Sequence, residues 1–145
     1  MRDVLFRLIG ILEIAGGLYG LTAMLRRLLP LGTTQDAVFA IIGLLIFSFV
    51  LVAGVLLVEN RPRGVICSQI AQLLQLPLLA TPMFSYALHC GGYVNIYATL
   101  LHAPRLGYDW HLGSQGFVFA IAGPAVSRIG INLLALASWL ALRLR

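Results

Sequence analysis

Apolar residues run along this chain in blocks too long for an ordinary helix of a water-soluble protein. Uninterrupted apolar length gives four candidate membrane spans. The first runs from about Val4 to Leu25 and the second from about Ala37 to Val58. The third begins near Gly64 and ends between Leu76 and Leu88, and is taken as 64–86. The fourth runs from about Phe117 to Leu142. Arg26-Arg27, Pro30 and Gly32-Thr33-Thr34 separate the first two, and Glu59-Asn60-Arg61-Pro62-Arg63 makes a tight polar turn before the third.

The texture changes after Pro77 and Pro82, each of which removes a helical hydrogen bond. Phe84, Tyr86 and Leu88 alternate with Ser85, Ala87 and His89. Tyr93, Asn95, Tyr97 and Thr99 then alternate with Val94, Ile96 and Ala98. Period-two spacing on either side of Gly91-Gly92 predicts a β-hairpin. A third extended piece near Ser114–Phe119 could join it, and an interfacial helix from Tyr93 to His102 is the alternative. The expected fold is a predominantly α membrane protein, a single domain over 1–145. It has four transmembrane helices and a small hairpin-like cap outside the membrane, in an outer loop of about 89–116.

Composition strengthens the membrane reading. Of 145 residues, 60% are hydrophobic and 10% charged, against about 25% charged in soluble domains. The +5 net charge comes from arginine alone. In such a chain a basic excess reports topology and anionic headgroups, so no nucleic-acid partner is expected. With four spans, Arg2, Arg7, Arg61, Arg63, Arg143 and Arg145 share one side. Arg26, Arg27 and Arg105 lie on the other. The bias predicts a multi-pass protein of a bacterial inner membrane with both termini cytoplasmic. The first span carries Glu13 and no A-x-A site follows, so it reads as retained and not as a cleaved signal.

Chemistry is sparse. On a helix Gly10, Glu13, Gly17 and Gly20 share one stripe, with Gly16 and Gly20 as a GxxxG pair. An acid near mid-bilayer needs a partner, and the expected one is Arg128 in the fourth span, with Asn132 one turn on. Gly123, Ser127 and Gly130 supply small residues beside it. Spans one and four should therefore pack around a Glu13–Arg128 pair. Gln69, Gln72 and Gln75 form a slanting band on the third span, bonding neighbouring helices or lining a polar path.

His89, Cys90, His102, Asp109 and His111 collect in the loop region. Only Asp109-x-His111 is closely spaced, so a metal on His102, Asp109 and His111 is the minor reading. No cofactor is expected. GxSxG, P-loop, HExxH and Rossmann fingerprints are missing from the sequence. Cys67 and Cys90 have neither CxxC nor zinc spacing.

Three function classes follow. The first is a small non-catalytic membrane protein: an accessory subunit, interaction partner or immunity-type protector, in contact with lipid and with a protein partner or second copy. The second is a transporter or channel component using Glu13, Arg128 and the glutamine band. The third is a membrane enzyme with its site in the outer loop.

Overall fold

A computed structural model describes residues 2–29, 32–100, 104–112, 116–120 and 125–144. Helices α1 (Arg2–Leu28), α2 (Thr34–Val58) and α3 (Pro62–Gln75) come first. Strands β1 (Pro77–Ala80), β2 (Ser85–His89), β3 (Tyr93–Leu100), β4 (Arg105–His111), β5 (Gly116–Ala120) and β6 (Ser127–Asn132) follow, and helix α4 (Leu133–Arg143) ends the order. The strands form one six-stranded antiparallel sheet in the order β4-β3-β6-β1-β2-β5. The expectation of a predominantly α, four-span protein with a small hairpin-like cap is therefore corrected to a mixed α/β fold.

Among the described residues only α1 and α2 are long and apolar enough to cross a membrane, over Asp3–Leu28 and Thr34–Val58. At 1.5 Å per residue the 27 residues of α1 extend about 40 Å, more than the roughly 30 Å hydrocarbon layer. The two helices are held at their junction by polar contacts. Thr33 caps α2 by accepting from the Asp36 amide, while the Asp36 carboxylate accepts from Thr33 Oγ1 and from Arg27 at 2.8 Å each. Glycines then let the backbones close. A Cβ at Gly10 would strike Val58 and the Gly54 carbonyl, one at Gly17 would strike Leu51, and one at Gly20 would strike Phe47. The small-residue stripe of α1 thus serves α2, not a fourth span.

The expected third span fails at Pro77. Pro62 suits the first turn of α3, but a proline at 77 disfavours helix at the residue before it. The chain leaves the helix at Leu76 after 14 residues, about 21 Å of helix. The expected fourth span divides into β5, β6 and the 11-residue α4. Asn132 marks the last boundary: its side chain accepts from the Leu134 and Ala135 amides as the α4 cap.

Of the expected strand segments, 85–88, 93–99 and 116–119 lie in strands and 114–115 fall outside the described residues, but β2 and β3 do not pair with each other. β2 lies between β1 and β5, and β3 lies between β4 and β6. The alternative helix over Tyr93–His102 is replaced by β3 as far as Leu100; 101–103 lie outside the described residues. Gly91 explains the missing hairpin. It takes φ +79°, and any Cβ on it would meet the Leu12 carbonyl. The Gly-Gly pair is spent on a close approach to α1.

Cross-strand partners share a sheet face, so the registers define two faces. One carries Tyr86, Leu88, Phe117 and Phe119 at the β2–β5 end. There it packs on Met24, Phe47 and other residues of α1 and α2 to make the main core. A second cluster of Ile9, Leu57, Val65 and Leu142 gathers the start of α1, the end of α2, the start of α3 and the end of α4 at one pole.

Candidate functional site

Glu13 is the buried acid around which the helices meet, with a residue exposure of 1%. Ser68 donates to Oε2 at 2.7 Å and Gln72 donates to Oε1 at 2.8 Å. Ser68 and Gln72 are four residues apart on α3 and so stand one above the other on its inner face. Gly54 of α2 comes close enough that a Cβ there would touch the Glu13 side chain. Both carboxylate oxygens therefore have donors, and neither donor is charged. Unsatisfied buried polar atoms cost about 1–3 kcal/mol each, which explains why α3 must lie against α1 at this height.

Arg128 is elsewhere. It sits on β6 opposite Ala80 and Thr99, with its guanidinium 5.6 Å from the centre of the Tyr97 ring. The ion pairs among the described residues are Arg27–Asp36 and Glu59–Arg61. The expected Glu13–Arg128 pair is thus not formed, because residue 128 lies in a strand and not in a helix crossing beside α1. Asn132 caps α4 and also accepts from the Val94 amide at 3.3 Å. Ser127 opens β6, and Gly130 allows β6 to approach β3 so closely that a Cβ would meet the Ile96 carbonyl. Gly123 lies outside the described residues.

The glutamine band divides its work. Gln72 serves Glu13. Gln69 donates to the Leu142 carbonyl at 3.0 Å and ties α3 to α4. Gln75 is buried and donates to the Ala71 carbonyl at 3.3 Å. A cavity of about 10 Å³ adjoins Glu13, lined also by Gln72, Gln75, Cys90 and Ser138. That is about the space of one water. Gly16 packs where a Cβ would collide with Cys90 and Gly91, and the Cys90 thiol points at the Glu13 carbonyl. Ser68 escaped the sequence reading. Its place four residues before Gln72, on the same helix face, was the available signal.

A second polar group lies on the face of the sheet that meets α4. The Asn95 side-chain amide and His89 Nε2 are hydrogen-bonded at 3.0 Å. The Tyr93 ring lies 4.1 Å from the His89 ring between centres, tilted by 46°, and its hydroxyl donates weakly to Asp109 at 3.3 Å. Burial holds the His89 imidazole below its ordinary range, opposed by Asn95 and by the Asp109 charge. Burial also raises the Tyr86 phenol, which donates to the Leu74 carbonyl. Asp109 and His111 are neighbours on β4, while His102 lies outside the described residues. Among those described, no three His, Cys, Asp or Glu side chains converge as a metal site would require.

The remaining feature is a bare apolar surface. The registers Val94↔Trp110, Ile96↔Tyr108, Ile96↔Ile131, Ala98↔Leu106 and Ala98↔Ile129 put these side chains on one face. Through Ile129↔Leu79↔Tyr86 it is the same face that α1 and α2 cover at the other end. Here no described element covers it, and Leu106, Tyr108 and Trp110 are 83%, 77% and 63% exposed. Comparison with protein-family models, curated proteins and solved structures gives no match.

Proposed function

We propose that this chain is a non-catalytic membrane protein, anchored by α1 and α2, that acts through contacts made by its sheet. It would serve as an accessory subunit, interaction partner or immunity-type protector in a bacterial inner membrane. One observation carries the reading: the anchor helices keep apolar side chains outward. Only 39% and 33% of their apolar segments are buried. Core helices of similar length are mostly buried, whereas Ile11, Leu18, Leu45 and Val52 all face out. Lipid is the solvent that such a surface suits. The bare sheet face is the natural contact surface for a partner, because its aromatic side chains favour the boundary between apolar and polar surroundings.

Two linked measurements test this. Membranes from expressing cells are extracted with alkaline carbonate, and Ile131 is replaced by a photo-crosslinking phenylalanine derivative. The proposal expects retention in the membrane pellet and a protein adduct of defined mass. Release into the supernatant, or adducts to lipid alone, would overturn it.

A second reading draws on the cavity beside Glu13. It makes the protein a proton- or ion-carrying component using Glu13 and the Gln72–Gln75 side of α3. Glu13→Gln would then abolish flux in reconstituted vesicles while leaving expression intact.

A further inference from the structure

The sheet has two edges, and the fold treats them differently. The β5 edge lies beside the helices: Phe117 packs near Met24 and Gly43, and Phe119 lies 5.1 Å from Phe39 between ring centres. Among the described residues the β4 edge has no such cover, since β4 packs substantially against β3 alone. Its residues are exposed along almost the whole strand, Arg105 to His111. An uncovered seven-residue edge presents a row of free backbone donors and acceptors, which is a template for another strand. In or near lipid the need is stronger, because backbone groups there find no water.

The sequence of this edge selects the partner. Arg105-Leu106-Gly107-Tyr108-Asp109 is complementary to itself when read antiparallel about Gly107. That register sets Arg105 opposite Asp109 of the second strand, twice by symmetry, and Leu106 opposite Tyr108, also twice. Arg105 and Asp109 project to the same face as Arg128, because Thr99 stands between Arg105 and Arg128 in the ladder. Neither Arg105 nor Asp109 belongs to an ion pair among the described residues. Leu106 and Tyr108 project to the bare apolar face, so both faces match across the junction. Directly opposed charges and apolar cross-strand pairs each favour pairing.

We propose that two copies of this chain join through their β4 strands, antiparallel about Gly107, to make one continuous twelve-stranded sheet with Arg105–Asp109 pairs across the junction. A two-fold axis through the paired strands satisfies the edges of both copies at once. The inference rests on the membrane reading above for its strongest driving force, and it names the partner of the β4 edge as a second copy.

Charge exchange tests it. The wild-type protein in nanodiscs or mild detergent should be a dimer. Arg105→Asp and Asp109→Arg each place like charges opposite in a self-pair and should each be monomeric. Coexpressed, the two variants should form a mixed dimer, since one then carries two acids and the other two bases. The double exchange R105D/D109R should restore self-pairing. As a measurement that needs no charge change, the Leu106→Cys/Tyr108→Cys variant should form an interchain disulfide under oxidation. A monomeric wild type, dimers that persist in both single variants, or no interchain disulfide would overturn the inference. Carbonate extraction is read in parallel on every sample. A retained monomer defeats the β4 pairing and leaves the anchor reading intact, whereas release into the supernatant defeats the anchor reading itself.

Discussion

The α1–α2 hairpin and the six-stranded sheet handle the same shortage of polar residues in opposite ways. In the helical half the polar atoms of the Glu13 group are internal and matched: Ser68 and Gln72 take the two oxygens of Glu13. The exterior is left apolar. In the sheet the matching is incomplete. Ser85 Oγ, Asn95 Oδ1 and Asn132 Nδ2 are buried without a hydrogen-bond partner among the described residues. At the β4–β3–β6 end one face is left uncovered by the described residues, and the β4 edge is open. The helices leave an apolar exterior, and the sheet leaves part of a face and one edge uncovered by the described residues.

The sharpest way to break that contrast is a charge at the centre of α2. Leu45 is 68% exposed. In a bilayer, Leu45→Arg should cost about 2.5–3.5 kcal/mol of insertion, seen as a large loss of carbonate-resistant protein. On a water-facing surface the same change should stay within about 0.5 kcal/mol.

Next comes the Glu13 group. Gln72→Leu leaves Oε1 without its donor and should lower stability by about 1–3 kcal/mol, read as a drop in Tm in detergent. Gln69→Leu removes a part-buried bond to Leu142 and should cost less. Equal losses would mean that Glu13 is not the organising group of the helices.

A smaller effect is expected in the sheet half. Asn132→Ala removes the α4 cap and should cost about 1 kcal/mol. Amide exchange should quicken at Leu134 and Ala135 while the amides of α1 and α2 keep their protection. Uniform acceleration would show that the two halves do not behave separately.

The mildest effect is on pH. His89 has its folded pKa pushed below the ordinary 6.5. The unfolded chain therefore binds more protons in that window, and stability is full above about pH 6.5 and falls as pH drops below it. His89→Gln should flatten the slope of Tm against pH between about 7 and 5. An unchanged slope would remove His89 from the account.

The two halves were also unequally legible. α1 and α2 were visible because apolar length alone specifies a spanning helix, and Glu13 stood out against it. The segments 64–86 and 117–142 are also largely apolar over a similar length, and length could not separate a helix from short strands. Pro77 was the decisive residue in the first, ending α3 at Gln75 where the span had been expected to run on to about residue 86. Local period-two texture disclosed β2, β3 and β5, but which strand lies beside which depends on contacts far apart in sequence. Gly91-Gly92 resembled a hairpin turn because its other use, the approach to Leu12 and Gly16, involves a helix some 75 residues upstream. The expected partner of Glu13 failed for the same reason: matching depths presumed that Arg128 was helical.

The central claim is that the outer faces of α1 and α2 are solvated by lipid. Its most direct test puts a single tryptophan at the most exposed part of α2, as Leu45→Trp in a chain with Trp110→Phe and Trp139→Phe. The protein is reconstituted in vesicles whose acyl chains are brominated near the bilayer centre. The account predicts strong quenching by the brominated lipid and little by aqueous iodide. Quenching by iodide, with none by the brominated chains, would contradict it.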